Sequence, residues 1–388
     1  MVKVMVKRVY GEKELKLLQE VLSSGELGAL SGKFTPMFEE KFAKTIGAKY
    51  AVAMNCGMSA LHAAVLCADP GIEAGGEVIC DSVFVFGAVA SLYANLIPKF
   101  VDINPVTHTL DPAKLEEAIT KNTKAIIVTH AWGLPADMDP IVKIAHRYGL
   151  IVIEDCAHAI LATYKGRFSG TLGDIGCFSF QASKQMSLGD GGMATTNDEE
   201  LAKKLDLHAG APTFLSVAYG LHYNYRMNEL TAAVGLAQLE RLPEFIEGLR
   251  KIARYYDEAV SKCKWLRLQR ADYGSSSYHF WAATFEGERY GISLDQFKEA
   301  IKKAGIPVNI GYTQMPAYKH PVIKDRLAHI LRCKSVQEKI EYPDGLCPIA
   351  ERIIPRMVLI YTLKSEEEAK KEAEKLRQLI QDLESGRI

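Results

Sequence analysis

Lys184 is the residue of this sequence whose position most favours covalent chemistry. It follows the apolar segment 176–180, which has the pattern of a strand, and it precedes a glycine-rich bend at 189–192. Burial among apolar residues lowers the pKa of a lysine ammonium group, and the neutral amine that results can attack a carbonyl carbon. The position therefore predicts an imine-forming lysine, although a lone lysine is more often a solvated surface residue.

Two acids, Glu154 and Asp155, end an apolar predicted strand at 150–155, and His158 follows them. Burying a carboxylate is costly unless a cation lies against it. Asp155 could therefore hold a protonated heterocyclic nitrogen. Capping of a following helix is an equally good interpretation of Asp155 when this segment is considered alone.

The segment 55–62 (Asn-Cys-Gly-Met-Ser-Ala-Leu-His) follows a predicted strand and begins a helix. The free backbone N–H groups of Met58 and Ser59 would point at an anion, with the Ser59 hydroxyl beside them, and a phosphate fits that description. Taken alone, however, the segment favours a well-capped helix without a ligand. The polar-aromatic segment 223–230, which enters a long predicted helix, indicates little by itself.

Together these segments provide a phosphate cradle, an aspartate for a ring nitrogen and an imine-forming lysine, which are the features that a pyridoxal phosphate (PLP) site needs. Their order resembles that of the DegT/DnrJ/EryC1/StrS family of PLP-dependent sugar aminotransferases. Asp155 and Lys184 are 29 residues apart, close to the spacing in that family. The matching segments are 31–32 with 38–39, 57–61, 154–158, 173–180, 183–184, 189–192 and 223–230.

The resemblance implies a role for each site residue. Lys184 would form the imine with the cofactor and act as general acid and base, while Asp155 would pair with the pyridinium nitrogen. His158 would touch the ring or its O3′ oxygen, and Phe84 would stack on the ring, although a core aromatic is the alternative for Phe84. The phosphate would be held by Met58, where the family usually has threonine, by Ser59 and Ser179, and by Asn224 of the second subunit. The complete implied cofactor-binding set is Gly57, Met58, Ser59, Phe84, Asp155, His158, Ser179, Lys184 and Asn224.

The same resemblance implies a fold-type-I homodimer with both active sites at the subunit interface. The expected reaction is ping-pong transfer of an amino group from an amino acid, L-glutamate, to a keto-sugar that is nucleotide-linked. The segment 181–183 (Gln-Ala-Ser) also resembles branches that use keto-cyclitols of the scyllo-inosose type. A PLP-dependent dehydratase stays open as well: sugar dehydratases of this family carry histidine in place of the lysine, whereas arylamine-forming ones keep it. A non-catalytic PLP-binding sensor is the last alternative, and no metal site is predicted.

The elements that would position these residues follow an α/β pattern. Short apolar runs alternate with helix signals from about residue 50 to 196, which predicts a mostly parallel sheet with helices on both faces. A large domain over 1–245 and a smaller α+β domain over 246–388 are expected. Pro243 predicts a break between helices at 227–242 and 244–263, and capping boxes begin at Ser293 and Ser365. The predicted strands are 50–54, 77–81, 99–102, 125–130, 150–155, 176–180, 193–196 and 281–285.

Composition narrows the class of protein. The 388 residues carry 47 basic and 47 acidic side chains, so the net charge of zero gives no electrostatic reason to expect nucleic acid or an anionic membrane as a partner. The eight cysteines are dispersed without a Cys-x-x-Cys pair, which suits reduced thiols. The sequence begins without the long apolar block of a signal peptide, and a cytoplasmic enzyme is expected.

Overall fold

The computed structural model describes residues 8–69, 75–210, 223–324 and 340–387. The strands within these ranges are β1 (Tyr50–Met54), β2 (Glu77–Asp81), β3 (Ile97–Val101), β4 (Thr123–Thr129), β5 (Ile151–Asp155), β6 (Thr163–Tyr164), β7 (Arg167–Phe168), β8 (Ile175–Ser179), β9 (Gly192–Thr196), β10 (Leu266–Leu268), β11 (Gly274–Ser275), β12 (Phe280–Phe285), β13 (Val308–Ile310) and β14 (Met357–Tyr361). The helices are α1 (Glu12–Ser24), α2 (Phe34–Ile46), α3 (Gly57–Ala68), α4 (Val85–Tyr93), α5 (Pro112–Ala118), α6 (Met138–Arg147), α7 (Glu199–Ala209), α8 (Glu229–Val260), α9 (Leu294–Ala304), α10 (Pro321–Lys324), α11 (Pro348–Ile353) and α12 (Glu366–Glu384).

The central sheet has seven strands in the order β1-β9-β8-β5-β4-β2-β3. The strands from β8 to β3 run parallel to one another, whereas β9 is antiparallel to both of its neighbours. The return of β9 follows from its connection to β8, because the segment between them forms a loop and contains no crossover helix. The prediction of a mostly parallel sheet is confirmed, with strand bounds that differ from the predicted ones by a few residues.

Helices cover both faces of this sheet, as the alternating pattern predicted. On one face α3 is buried along nearly its whole length, because its residues are small or apolar all round. On the other face Leu115 of α5 and Ile141 of α6 pack against the buried side chains of β4 and β5. Coverage on both faces explains why the strands read as apolar runs rather than as alternating ones.

The C-terminal part forms a second, antiparallel sheet of four strands in the order β10-β12-β14-β13, against which α9 and α12 pack. Both predicted capping boxes are present: the hydroxyls of Ser293 and Ser365 accept hydrogen bonds from the third residue of α9 and α12. α9 ends at Gly305, which has a left-handed φ of 62°. The predicted division of the chain between 245 and 246 falls inside α8 and stays a prediction.

The predicted break at Pro243 is wrong. α8 is one helix of 32 residues from Glu229 to Val260, with Pro243 inside it and exposed to solvent. A proline within a helix removes one hydrogen bond and costs about 3 kcal/mol. That cost is outweighed because α8 packs along its length on α1, α2 and α12, burying seventeen of its residues.

Two global properties complete the fold. No helix among the described residues is both long and apolar enough to cross a membrane. The seven cysteines within those residues are all free thiols, and five of them are buried.

Candidate active site

A cavity of about 490 Å³ lies at the carboxyl ends of β5 and β8, next to the first turns of α3 and α4. This edge is where an open α/β sheet places its ligand. Lys184 and Asp155 both line the cavity, together with Phe84, His158 and Ser179. The structure thus brings together residues that lie up to 100 positions apart in the sequence.

Lys184 and Asp155 face the cavity with opposite charges. Desolvation lowers the pKa of Lys184 to about 8, against a partial opposing effect from the negative charge of Asp155. Asp155 is 4% exposed, and burial raises the pKa of its carboxyl group, opposed by a hydrogen bond from the Ala157 N–H and by the charge of Lys184. A buried carboxylate of this kind is stabilised by a cation, and a protonated ring nitrogen would supply one.

The alternative in which Asp155 caps a helix is wrong. Its carboxylate accepts a hydrogen bond of 3.0 Å from the N–H of Ala157, two residues further on, and the chain then continues through turns rather than a helix. One carboxylate oxygen is therefore used by this local turn. Among the described residues the other oxygen accepts no hydrogen bond, so Asp155 keeps capacity to bind a donor in the cavity.

His158 lies in a stack of rings along one side of the cavity. Its imidazole stacks on His279 with ring centroids 4.3 Å apart, and Trp132 stacks at 5.8 Å. Phe84 meets His158 edge-on at 5.5 Å. Burial, and then the charge of Lys184, holds the pKa values of His158 and His279 well below the usual range, so both imidazoles are neutral. The buried Nδ1 atom of His158 has no hydrogen-bond partner within the described structure.

The N-terminus of α3 also lines the cavity. Cys56 precedes the helix in an extended conformation, and no side chain caps the first turn, so the expectation of a well-capped helix is wrong. The binding of a ligand at this helix end stays a prediction. A Cβ atom added at Gly57 would lie 2.7 Å from the Cβ of Ser179, which shows how closely β8 approaches the helix end. Uncapped N–H groups beside a serine hydroxyl form an anion site of the size of a phosphate.

Two residues of the predicted set do not line this cavity. The Ser59 hydroxyl donates to Asn55 Oδ1 at 2.6 Å and is 6% exposed, so it holds the strand-to-helix turn. Asn224 is exposed on the surface of the same chain, and its carbonyl accepts a 3.5 Å hydrogen bond from the Asn55 side chain. That exposed position suits a residue that acts outside its own chain, and the role of Asn224 in a second subunit stays a prediction.

A buried network behind Asp155 was not identified from the sequence. Glu154 is fully buried and accepts backbone N–H groups from Gly170, Leu172 and Gly173, and it accepts from His130 at 2.8 Å. The Nδ1 atom of His130 accepts a hydrogen bond from the Ala136 N–H. The ring proton is therefore on Nε2, which donates a hydrogen bond to the Glu154 carboxylate. Glu154, His130 and Cys156 lie close enough to be considered as metal ligands, but these hydrogen bonds already occupy the carboxylate and both imidazole nitrogens.

Asp81, at the end of β2, holds a second turn beside the cavity. Its Oδ1 atom accepts the N–H groups of Val83 and Phe84 at 2.8 and 2.9 Å, and its Oδ2 atom accepts the hydroxyl of Thr129. These bonds fix the turn that presents Phe84 to the cavity. The sequence contains a pattern that could have identified this residue, because Asp81, like Asp155, is an acidic residue at the end of an apolar strand.

The C-terminal part contributes His279 and Tyr312 to the cavity, and neither was predicted. His279 directly precedes β12 and is 3% exposed, whereas Tyr312 follows β13 and is 52% exposed. No local pattern in the sequence marks these two residues, because they reach the cavity through the packing of the second sheet on the first. Other residues of the segment 311–320 line the cavity as well, whereas 211–222 falls outside the described residues.

The residues present fit pyridoxal phosphate. The cavity contains an amine with a lowered pKa, a buried carboxylate with free acceptor capacity and an uncapped helix N-terminus beside Ser179. Phe84 and His158 supply ring surfaces, and the unpartnered Nδ1 atom of His158 offers a hydrogen-bonding group. These are the amine, the acid, the flat walls and the anion site that the cofactor requires.

Comparison with known proteins agrees with this site. The model of the DegT/DnrJ/EryC1/StrS aminotransferase family matches residues 9–360. A GDP-perosamine synthase of Caulobacter vibrioides is 39% identical over 303 residues, which is 76% of this chain and 81% of that relative.

Solved structures have the same fold over nearly the whole chain. An aminotransferase from Psychrobacter cryohalolentis is similar with a TM-score of 0.83 and 27% identity, covering 97% of this chain and 98% of that one. A GDP-4-keto-6-deoxymannose-3-dehydratase solved with a PLP–glutamate adduct has a TM-score of 0.79 and 26% identity, covering 97% of this chain and all of the other.

Proposed function

The chain belongs to the DegT/DnrJ/EryC1/StrS aminotransferase family, and from that premise we propose that it transfers an amino group from L-glutamate to the keto group of a nucleotide-linked sugar. The protein is a fold-type-I sugar aminotransferase with pyridoxal 5′-phosphate as its cofactor. The proposal concerns the donor, the acceptor and the residues that carry the reaction. Its main support is that Lys184 and Asp155 face one cavity that ends at the uncapped N-terminus of α3.

Bound pyridoxal phosphate supplies an aldehyde carbon that binds amines covalently and a ring that accepts an electron pair. Lys184 would hold the aldehyde of the bound cofactor and, once released from it, would move protons. With a pKa of about 8, its amine is partly neutral near neutral pH, so Lys184 Nζ can take a proton from a substrate carbon and return it. A lysine at its ordinary pKa would be almost wholly protonated and a poor base at that pH.

The other residues orient the cofactor and hold charge. Asp155 would keep a proton on the ring nitrogen by offering a buried carboxylate to it. The N–H groups of Gly57 and Met58 and the hydroxyl of Ser179 would bind the phosphate. Phe84 and neutral His158 would contact the ring without adding charge.

The identity of the acceptor rests on the relatives and on the open side of the cavity. A relative named GDP-perosamine synthase favours a sugar that carries a nucleoside diphosphate. Phe86 and Tyr312 both line the cavity while remaining 54% and 52% exposed, so its rim presents aromatic surface to solvent. A nucleotide sugar could place its keto carbon near Lys184 and extend past this rim.

The test is spectroscopic and then chemical. Purified protein with added PLP should show an absorbance band near the visible edge, and glutamate should remove that band by converting the bound aldehyde to the amine form. Lys184→Ala should lack the band, whereas Lys203→Ala, which changes an exposed lysine on α7, should keep it. A colourless wild-type protein that ignores PLP would overturn the proposal.

The acceptor is then identified by mass spectrometry of products. The screen contains keto-sugar nucleotides, beginning with GDP-4-keto-6-deoxymannose, and keto-inositols, with glutamate and glutamine as donors. An aminated nucleotide sugar is the expected product. An aminated cyclitol would support the keto-cyclitol alternative, and loss of oxygen without amination would identify a dehydratase, which the solved dehydratase relative keeps as the second candidate.

Two further properties remain predictions. A homodimer with shared sites is proposed because Asn224 belongs to the family's pattern but is exposed and does not line the cavity of its own chain. The cytoplasmic location expected from the sequence also stays a prediction.

A further inference from the structure

Gln185, the residue directly after Lys184, lies at a junction of three segments. It is 2% exposed, and its side-chain amide donates to the carbonyl oxygen of His158 at 2.6 Å and to the hydroxyl of Ser277 at 3.2 Å. The Ser277 hydroxyl also lies 3.2 Å from the same carbonyl. One amide therefore joins three segments. They are the loop that contains Lys184 between β8 and β9 (the Lys184 loop), the segment after β5, and the segment 276–279 that precedes β12 in the second sheet.

Each of the joined segments carries a ring or an amine of the cavity. The carbonyl that accepts from Gln185 is the backbone carbonyl of His158, whose imidazole stacks on His279. Ser277, the other acceptor, lies two residues before His279. The segment 276–279 is held further by the Ser277 N–H, which donates to the Gly133 carbonyl, and by Thr362, whose hydroxyl donates to the Tyr278 carbonyl. The geometry around His158 and His279 is thus fixed by contacts with both sheets.

Other contacts also hold the loop next to Lys184: the Tyr361 hydroxyl donates to the Ser183 carbonyl, and an Arg8 N–H group donates to the Ala182 carbonyl. The Lys184 N–H donates to the Gln181 carbonyl at 2.9 Å, but Gln181 and Ser183 are exposed. Burial changes sharply at Gln185, after which Met186 and Ser187 are also buried. Among these contacts, the buried side chain of Gln185 is the one that joins the loop to the segments carrying His158 and His279.

We propose that Gln185 is a positioning residue of the aminotransferase, which holds the Lys184 backbone against His158 and the segment that delivers His279. The amide does not touch the reacting atoms and acts through the two groups that it anchors. This inference rests on the proposed role of Lys184. It adds a residue from the Lys184 loop whose function is to keep the amine at a fixed distance from the stacked imidazoles.

A small displacement of Lys184 has a large expected effect. A misplacement of about 1 Å in a reacting group can reduce the rate by about a hundredfold, because proton transfer needs close and aligned atoms. Gln185→Met keeps a buried chain of similar length but removes both donors. We expect kcat to fall between about tenfold and a hundredfold, with a smaller change in KM for the sugar because the rim residues are not altered.

A second readout does not depend on turnover. In the full-length protein without added PLP, the reaction of Lys184 with a small aldehyde plus a reductant can be followed by peptide mass spectrometry over a pH series. The groups that interact with the charge of Lys184 are Asp155 of β5, His158 and His279, and Asp190 and His320 also line the cavity. Loosening the loop should admit water to the amine, so the midpoint should rise from about 8 toward the ordinary lysine value of 10.5.

Gln269→Met is the matched control. Gln269 also uses its amide to join the two sheets, donating to the carbonyls of Thr107 at 2.6 Å and Ala131 at 3.1 Å, but it does not contact the Lys184 loop. The control should lose thermal stability to a similar degree while keeping the wild-type kcat and midpoint. A Gln185→Met protein with wild-type kcat and midpoint, or equal changes in both variants, would overturn the inference.

Ser277→Ala keeps the test decisive if Gln185→Met does not fold. It removes one of the two acceptors of the amide and should shift the Lys184 midpoint in the same direction by a smaller amount. An unchanged midpoint in Ser277→Ala would then reject the inference. Failure of the wild-type protein to form the Lys184-dependent band with PLP would instead reject the proposed function, so the two failures can be distinguished.

Discussion

At Lys184, two effects of opposite sign determine the pKa of the side-chain ammonium group. Desolvation by the apolar cavity walls disfavours the charged form, and the carboxylate of Asp155 favours it. Desolvation is the larger effect, so the pKa falls to about 8. The carboxylate that we propose as the partner of the ring nitrogen therefore also limits how far the lysine is deprotonated before the cofactor binds.

Reactivity of Lys184 with an aldehyde should rise with pH around a midpoint of about 8, because only the neutral amine is a nucleophile. Asp155→Asn removes the charge that favours the ammonium form. The midpoint should therefore move below 8, and the variant should react faster than wild type at neutral pH. Reductive alkylation of the Lys184 peptide, followed by mass spectrometry from pH 6 to 10, measures both midpoints. An unchanged or raised midpoint in Asp155→Asn would show that the two groups do not interact.

Residue types at strand and helix ends made most of the cavity predictable. Lys184, Asp155, His158 and Ser179 lie together because each belongs to a segment whose local pattern places it at the carboxyl edge of the sheet. Gln185 and His279 could not be predicted in the same way. Their contacts join positions 158, 185 and 277, and no periodicity within one element records which loop will meet which strand of another sheet.

At the scale of elements, Glu229 explains why two separate motifs of the sequence occur together. The first residue of α8 sends its buried carboxylate to the start of α2, where it accepts the N–H groups of Phe34 and Thr35 at 2.6 and 2.8 Å and the Thr35 hydroxyl at 2.6 Å. No side chain of α2 itself caps that helix. A Cβ atom at Gly32 would lie 2.0 Å from the Glu229 carboxyl carbon, so position 32 must lack a side chain.

Glu229→Ala should destabilise the protein because it leaves two buried N–H groups and a hydroxyl without an acceptor. Hydrogen bonds to a charged group contribute about 1.5–3 kcal/mol each, so a loss of several degrees in the melting temperature is expected. Glu244→Ala provides the control, since Glu244 is an exposed glutamate on the same helix. Thermal unfolding followed by circular dichroism compares the two. Equal melting temperatures would mean that the cap on α2 contributes nothing to stability.

The uninterrupted course of α8 leads to a prediction of opposite sign. Pro243 is exposed within the helix and cannot donate to the carbonyl four residues earlier. Pro243→Ala restores that donor. The substitution also raises the conformational entropy of the unfolded chain, which lowers the free energy of unfolding by about 0.4–1 kcal/mol. A net rise in melting temperature is expected. Pro348→Ala, at the first turn of α11 where proline is compatible with a helix, should give no rise. A fall in the melting temperature of Pro243→Ala would show that the helix depends on its proline.

At the scale of the whole molecule, the cavity is closed by two sheets but opens at a rim of exposed aromatic residues. The central sheet supplies Asp155 and the Lys184 loop, while the second sheet supplies His279 and Tyr312. The fold class could be predicted from the alternation of apolar runs and helix signals, because that pattern follows from burial on both faces. The relative placement of the two sheets could not, because it depends on side chains distant in sequence that pack in one core.

Shared active sites predict that two inactive variants will restore each other. Lys184 and Asp155 line the cavity of one chain, whereas Asn224 is exposed on that chain and is proposed to bind phosphate in the other subunit. Lys184→Ala and Asn224→Ala proteins are therefore mixed in equal amounts under conditions that allow subunit exchange. Half of the dimers are then mixed, each with one intact site, so about a quarter of wild-type activity at limiting PLP is expected.

A second mixture distinguishes active sites built from two chains from a general stabilisation of one chain by the other. Lys184→Ala mixed with Asp155→Asn should recover no activity, because both residues act in the cavity of a single chain and every mixed dimer keeps one defect in each site. Recovery in the Asn224 mixture alone would place that residue across the interface. If neither mixture recovers activity, each chain binds the phosphate with its own residues, and the exposed position of Asn224 would have no part in the reaction.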